Sequence, residues 1–453
     1  MIIPMKPPPL QELLRRVTSR DPWGRLGEIL TLGIGAAPDG KYRHWETLRH
    51  MEPPPGLTGE EWWLAIKNAR VQLARPIPLL DVNGRPFSYC TADPVLQMLY
   101  QIDRDATGQL TATDEITNPQ TRDRYIQSSL IEEAITSSQL EGAASTRDVA
   151  KQMIRSGRSP VDRSERMILN NYNAIRLIAE YKDERLSKNL LFELHRTITR
   201  GTLEHNGRLN HLRQPSDDEV KVTDTQGRVL HDPPPAETRP SRIDALCEFA
   251  NGELAGVFLH PVVKAIILHF WLAYDHPFVD GNGRTARALF YWCMLARGYW
   301  LFEFISISRI LLSAPAKYSR SFLYTETDDN DLTYFVLYQL IVICAAIEEL
   351  KDYIRRKADD VHQVERMVRS ALELNHRQLA LLSHALRHPG FRYSIQSHKN
   401  SHRVTYQTAR TDLLGLADMG LLEKGRSGRH FVFNPPTDLE CRLKELATPG
   451  GMP

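Results

Sequence analysis

The sequence predicts a mainly α-helical protein: a helical core carrying one β-hairpin, preceded by an N-terminal extension and followed by a C-terminal winged-helix domain. Three observations predict it. Apolar residues recur at helical spacing over 122–154, 164–181, 187–200, 241–251, 262–274, 284–297 and 332–357, with Pro and Gly mainly between these runs. One β-like segment interrupts them, EVKVTDTQGRVLHDPPP, in which Val220 and Val222 are expected to face Val229 and Leu230 across a turn containing Gly227. Past residue 358 the pattern changes to short helix, short helix, longer helix and a two-stranded turn, the order of a winged helix.

A chain of 453 residues exceeds what one hydrophobic core usually supports, so several domains are expected. The division that follows is an N-terminal extension over 1–110, a catalytic domain over 111–357, and a linker with the winged-helix domain over 358–453. The extension, with its clustered prolines and tryptophans, reads as short elements joined by turns. Hydrophobic residues make up 42% and charged residues 25%, the composition of a soluble globular protein. A formal net charge of +2 is too small to make the whole molecule a nucleic acid or membrane binder. Cys90, Cys247, Cys293, Cys344 and Cys441 lie far apart and form no CxxC pair, which argues against a disulfide framework or a zinc cluster and for a reducing cytoplasm. The N-terminus lacks a signal pattern and no apolar run reaches the roughly 18 residues of a membrane span, so no membrane partner is expected.

The chemistry concentrates in His276-Pro277-Phe278-Val279-Asp280-Gly281-Asn282-Gly283-Arg284-Thr285-Ala286-Arg287. Gly281-Asn282-Gly283 falls where a loop becomes a helix, so freed backbone N–H groups can meet a phosphate that glycine lets approach closely. Arg284 and Arg287, three apart, share a helix face and can grip a polyphosphate. Asp280 is the single carboxylate that Mg²⁺ sharing phosphate oxygens requires. His276 can accept a proton from an attacking hydroxyl, while Phe278 reads as a core anchor for the loop.

At every defined position this run resembles the Fic family signature HxFx(D/E)GNGRxxR, and the resemblance extends over about 122–357. It implies a protein adenylyltransferase moving AMP from ATP onto a Ser, Thr or Tyr hydroxyl of a target protein, with pyrophosphate released and Mg²⁺ as the metal. By the same resemblance His276 is the general base, Asp280 the Mg²⁺ ligand, Asn282 with Gly281 and Gly283 the α-phosphate support, and Arg284 and Arg287 the β- and γ-phosphate contacts. Tyr318 falls where many members place a tyrosine pair near the adenine, with Ser319 in the second place; Phe290-Tyr291 stands where many relatives carry an asparagine. The hairpin at about 219–230 resembles the family flap, with Val220, Lys221, Val222, Val229 and Leu230 docking an extended target segment as an added strand.

Upstream, Ser137-Ser138-Gln139-Leu140-Glu141-Gly142 matches the family's inhibitory pattern (S/T)xxxE(G/N) within a helix at about 122–142. It implies that Glu141, with Ser137 and Gly142, holds Arg287 away from the γ-phosphate. A carboxylate so placed could also orient water, making removal of AMP from targets an alternative activity. Between Arg377 and Arg429 there are nine Lys or Arg and three Asp or Glu, which suits either DNA or a protein partner for the winged helix. A DNA-binding regulator with a nucleotide-sensing or self-modifying core is therefore the competing reading, and a homodimer is an open alternative.

Overall fold

The computed structural model describes residues 2–19, 24–106, 119–203, 211–217, 221–224, 226–252, 258–371, 374–388, 390–427 and 430–447. The chain is mainly helical and divides into two compact units, one of residues 1–108 with 129–347, the other of 109–128 with 348–453.

The first unit begins with α1 (Leu10–Thr18), α2 (Gly24–Thr31), α3 (Trp45–Leu48) and α4 (Gly59–Leu73). Helix α4 is capped at both hydrogen-bonding partners of a Thr58–Glu61 box, and its Trp63 and Leu64 are buried with Leu13, Ile29 and Trp45. Strands β1 (Ala74–Leu80) and β2 (Pro86–Cys90) then form an antiparallel hairpin, followed by α5 (Asp93–Ala106). Helices of 15 and 14 residues thus stand where the prolines suggested only short elements, because those prolines lie outside the helices except Pro94 in the first turn of α5, where no N–H is needed.

Next come α6 (Pro119–Leu140), α7 (Arg147–Ser156), α8 (Arg163–Glu180), α9 (Lys188–Thr199) and α10 (Arg239–Asn251). Central to the unit is the pair α11 (Pro261–Asp275) and α12 (Asn282–Ala296), joined by the loop that carries His276. From Val262 to Leu272 every residue of α11 is buried, as its nearly unbroken apolar sequence requires. Helices α13 (Ile307–Ser313) and α14 (Pro315–Thr327) and the long α15 (Thr333–Ala371) follow. The segment Thr333–Arg356 is long and apolar enough to cross a membrane, and 61% of its apolar window is buried within the protein. It exceeds the apolar length expected from sequence, and α15 also continues past residue 357, because 358–371 holds polar residues but neither Gly nor Pro.

The hairpin between α9 and α10 consists of β3 (Val222–Thr223) and β4 (Val229–His231). Its register differs from the expected one: Val222 lies opposite His231 and Thr223 opposite Val229, with an irregularity between them. Asp224 causes this by closing the turn early, its carboxylate accepting from the N–H groups of Gln226 and Arg228 at 2.9 and 3.0 Å. Val220 lies outside the described residues.

In the second unit α16 (His376–Arg387), β5 (Tyr393–Ser394), α17 (Ile395–His402), α18 (Tyr406–Asp418), β6 (Glu423–Ser427), β7 (His430–Asn434) and α19 (Leu439–Ala447) follow in order. The three strands make one antiparallel sheet in the order β5-β7-β6, packed on a core of Leu381, Leu413, Leu416 and Phe433. None of the five cysteines is in a disulfide.

Candidate active site

Helix α11 ends at His276, whose N–H still bonds Leu272 at 3.1 Å while its own backbone turns left-handed at φ 45°. Pro277 cannot continue a helix, which fixes the exit there. Two bonds from Arg213 hold the strained turn: its Nε donates to the His276 carbonyl and its backbone N–H to the Pro277 carbonyl, both at 2.8 Å. Nothing in the sequence pattern singled out Arg213, which is 63 residues away.

His276 Nδ1 faces the Ala273 carbonyl at 3.3 Å, so that nitrogen carries the proton and Nε2 is left as the acceptor. Burial, and after it the positive charges of Arg213 and His231, lower its pKa to about 4. The ring is therefore neutral at pH 7, the form a base needs.

Phe278 is buried and stacks on His195, with ring centres 3.7 Å apart. His195 Nε2 meets the Asp280 carbonyl at 3.0 Å, so this second histidine supports the loop from beneath. Asn282 clamps the loop from within: its Oδ1 accepts from the Phe278 N–H at 2.9 Å and its Nδ2 donates to the Phe278 carbonyl at 2.7 Å. That side chain, expected at the phosphates, is turned onto the backbone instead, because the buried loop must satisfy its own polar groups.

Gly281 starts α12 at φ 85°, where an added Cβ would come within 2.7 Å of Thr199. Arg284 is fully buried, donating to the Ile198 carbonyl at 3.1 Å and reaching Asp280 Oδ1 at 3.4 Å, and its Nε is without a partner among the described residues. Asp280 is one-third exposed, and its other oxygen lies 3.3 Å from Arg163. A single, solvent-accessible hard oxygen beside a glycine cradle fits Mg²⁺ that takes its remaining ligands from phosphate and water. Among the described residues no group of three His, Cys, Asp or Glu could hold a metal alone.

The cradle over Gly283 is filled by Glu141. A Cβ placed on Gly283 would lie 2.1 Å from Glu141 Oε1. That same oxygen accepts from Arg287 Nη2 at 2.9 Å, and Arg287 also donates to the hydroxyl and the carbonyl of Ser137, each at 2.9 Å. The Ser137 carbonyl is available because α6 tightens at its end: Glu141 N–H turns to Ser138, and the N–H groups of Gly142 and Ala143 close back on Gln139 and Ser138. Gly142, at φ 89°, makes that closure possible.

A cavity of about 190 Å³ opens beside these groups, with Glu141, His276, Gly283, Arg287 and Tyr318 on one side and Val222, Leu230 and His231 of the hairpin on the other. The Tyr318 hydroxyl is 2.8 Å from His269 Nε2, and burial pushes its pKa up to about 12. His231 pins the hairpin, its two ring nitrogens 2.8 Å from Glu326 and 2.7 Å from the Tyr274 carbonyl; although burial opposes it, the Glu326 carboxylate raises its pKa. Both nitrogens face acceptors, an arrangement that favours the protonated ring. Lys221 pairs with Asp232 at 2.9 Å, and Val229 is exposed on the far face.

Residues 185–294 match the Fic/DOC family. The chain is 36% identical over 69 residues to the protein adenylyltransferase Fic of Nematostella vectensis, covering 15% of this chain and 16% of that protein. It is 51% identical over 41 residues to the protein adenylyltransferase Fic of Drosophila virilis, covering 9% and 8%. The matches thus span a minor part of those curated relatives. A Fic family protein from Desulfovibrio desulfuricans G20 has a similar fold, with a TM-score of 0.51 at 18% identity over 77% of this chain and 98% of that one. The family match, which spans the loop that orders His276 and Arg287, and the similarity to adenylyltransferase relatives together support a Fic-family protein.

Proposed function

We propose that this chain is a protein adenylyltransferase that uses ATP, held in check by Glu141. The observation that carries the reading is the pairing of Glu141 with Arg287 over Gly283, a few residues from a neutral histidine whose Nε2 is free to accept a proton. In the reaction His276 Nε2 takes the proton from a Ser, Thr or Tyr hydroxyl of the target. The hydroxyl oxygen attacks the α-phosphorus of ATP, the bond to the bridging oxygen breaks, and pyrophosphate leaves. The amides at the start of α12 receive the phosphate oxygens, Arg284 the β-phosphate, and Asp280 would hold Mg²⁺. That ion supplies neutralising charge to the phosphate oxygens.

With Glu141 in place, Arg287 is spent on a carboxylate and a main-chain carbonyl, and the space left is below the roughly 300 Å³ at which small-molecule pockets begin. Removing the side chain takes the carboxylate away from Arg287 and opens that space. The test is mass spectrometry and label uptake after incubation with ATP and Mg²⁺: Glu141→Gly should gain an AMP adduct that the parent lacks or nearly lacks. Adding His276→Ala should reduce it at least about a hundredfold. No adduct on Glu141→Gly, or one indifferent to His276, would rule the mechanism out.

The hairpin is suited to an extended target segment pairing beside β3 and β4, with Val222 and Leu230 lining the cavity. A second reading concerns the C-terminal unit, where Arg403, Arg410, Lys424 and Arg426 are exposed on and around α18 and β6 in a winged-helix order. That favours a nucleic-acid backbone as its partner, tested by salt-dependent gel shift with duplex DNA.

A further inference from the structure

Helix α6 meets α12 along a face that the inhibitory pattern does not reach. Glu133 and Ser137, spaced by four, line one side of α6, and Glu141 follows four residues on, just past its end. Opposite them on α12 stand Tyr291, Arg287 and Gly283, spaced by four in the reverse direction. Two rungs of this ladder, at Ser137 and Glu141, belong to the site already described. The third, Glu133, lies two helical turns away, about 12 Å along the axis.

Glu133 is a buried carboxylate whose contacts are all donors. Its Oε2 accepts from the Tyr291 hydroxyl at 2.9 Å, the Ser306 hydroxyl at 2.8 Å and the Ser308 N–H at 3.0 Å, and its Oε1 accepts from the Ser308 hydroxyl. Tyr291 is committed to donating, because its oxygen accepts the Ile307 N–H at 2.9 Å. Ser306 is committed likewise, accepting the Arg309 N–H as the cap of α13. One side chain of α6 thereby ties that helix to α12 and to the start of α13 at once. Burial with this many donors is costly to disrupt and tolerates little displacement.

We propose that Glu133 is the positioning residue of the Glu141 brake: it fixes the register of α6 against α12 and so sets the place of Glu141 over Gly283. The inference rests on the brake reading above. Glu133→Gln puts an amide donor among hydroxyl and N–H donors, and Ser308→Ala removes one donor while leaving the carboxylate.

Full-length parent, Glu133→Gln, Ser308→Ala, Glu141→Gly and the double variant Glu133→Gln/Glu141→Gly are incubated with Mg²⁺ and ATP labelled at the α-phosphate. Glu133→Gln and Ser308→Ala should label themselves about tenfold more than the parent, the loss of a charge-assisted hydrogen bond expressed as a population shift. The double variant should match Glu141→Gly, because a positioning residue has nothing left to position. A residue that only stabilised the fold would instead lower the double variant below Glu141→Gly, and that result overturns the proposal. So does parent-level labelling by a cooperatively melting Glu133→Gln when Glu141→Gly labels strongly. Should Glu133→Gln fail to fold, Ser308→Ala decides by the same criteria. Should Glu141→Gly take up no label, the brake reading itself has failed, and amide hydrogen exchange over 129–141 judges Glu133: faster exchange in the folded variant sustains the anchoring, unchanged exchange ends it.

Discussion

In the proposed reaction, a single carbonyl contact at His276 decides which ring nitrogen can act. Because Ala273 holds the proton on Nδ1, the acceptor is Nε2, and because burial disfavours the imidazolium, the acceptor persists well below neutrality. The sign is fixed by the direction of the shift: a histidine pKa lowered to about 4 leaves the base neutral at every pH above that value. For Glu141→Gly, kcat/KM for AMP transfer should therefore stay flat from pH 7 down to about 5 and fall below it. An acid limb centred near 6.5, the value of an unperturbed histidine, would show that the ring is solvated in the free enzyme and that its burial does not tune it.

At the scale of elements, the approach of α6 to α12 depends on one missing Cβ. Gly283→Ala would drive a methyl into Glu141 Oε1, whereas with Glu141 absent the nearest remaining atom is Arg287 Nη1 at 3.1 Å, the end of a flexible side chain. The expected cost is about 1–3 kcal/mol in the parent and markedly less in Glu141→Gly, read by denaturant unfolding of the four chains of the double-mutant cycle. Equal costs in both backgrounds would mean that the carboxylate does not sit over Gly283. This contact also marks the limit of what the sequence discloses. His276 to Arg287 was legible as a candidate site because its residues are consecutive, though Asn282, read as a phosphate contact, clamps the Phe278 backbone instead, and α6 to α12 were legible as helices from their apolar period. Arg213, Arg163, His195 and Glu133 were not, since each acts on a residue 63 to 175 positions away through contacts that leave no local pattern. The hairpin was found but misregistered, because the Asp224 side chain and not the valine alternation sets its turn. Helices α4 and α5 were hidden by prolines that delimit them.

Across the first unit as a whole, the same burial that readies one histidine turns several into an acid liability. His44, His195, His269 and His276 have pKa values lowered to about 4, about 4, about 3 and about 4, in each case first by desolvation. Each is held neutral by geometry as well: His44 Nδ1 accepts the Glu46 N–H at 3.1 Å, and the Nδ1 atoms of His195 and His269 have no acceptor among the described residues. Between pH 6.5 and about 4 the unfolded chain binds these protons and the folded chain does not, so stability rises with pH across that window and falls as pH drops through it. His231 has the opposite sign: its raised pKa adds stability that is present below 6.5 and lost as pH rises through its folded value. Glu61 and Asp81, lowered to about 2, lose their contribution as pH falls from the unfolded values of 4.5 and 3.8 toward the folded ones, and so overlap only the acid edge of that window. His44 isolates the effect, since it lies outside the catalytic loop and caps α3, a role asparagine fills without titrating. His44→Asn should therefore flatten the fall in unfolding free energy between pH 6.5 and 4 by about 3 kcal/mol, the weight of one such shift, in parallel urea titrations of parent and variant. Superimposable slopes would mean that His44 titrates as freely in the folded unit as in the unfolded chain. In that case the stack of its ring on Tyr324, at 4.4 Å between centres, could not be the sealed contact that joins α3 to α14.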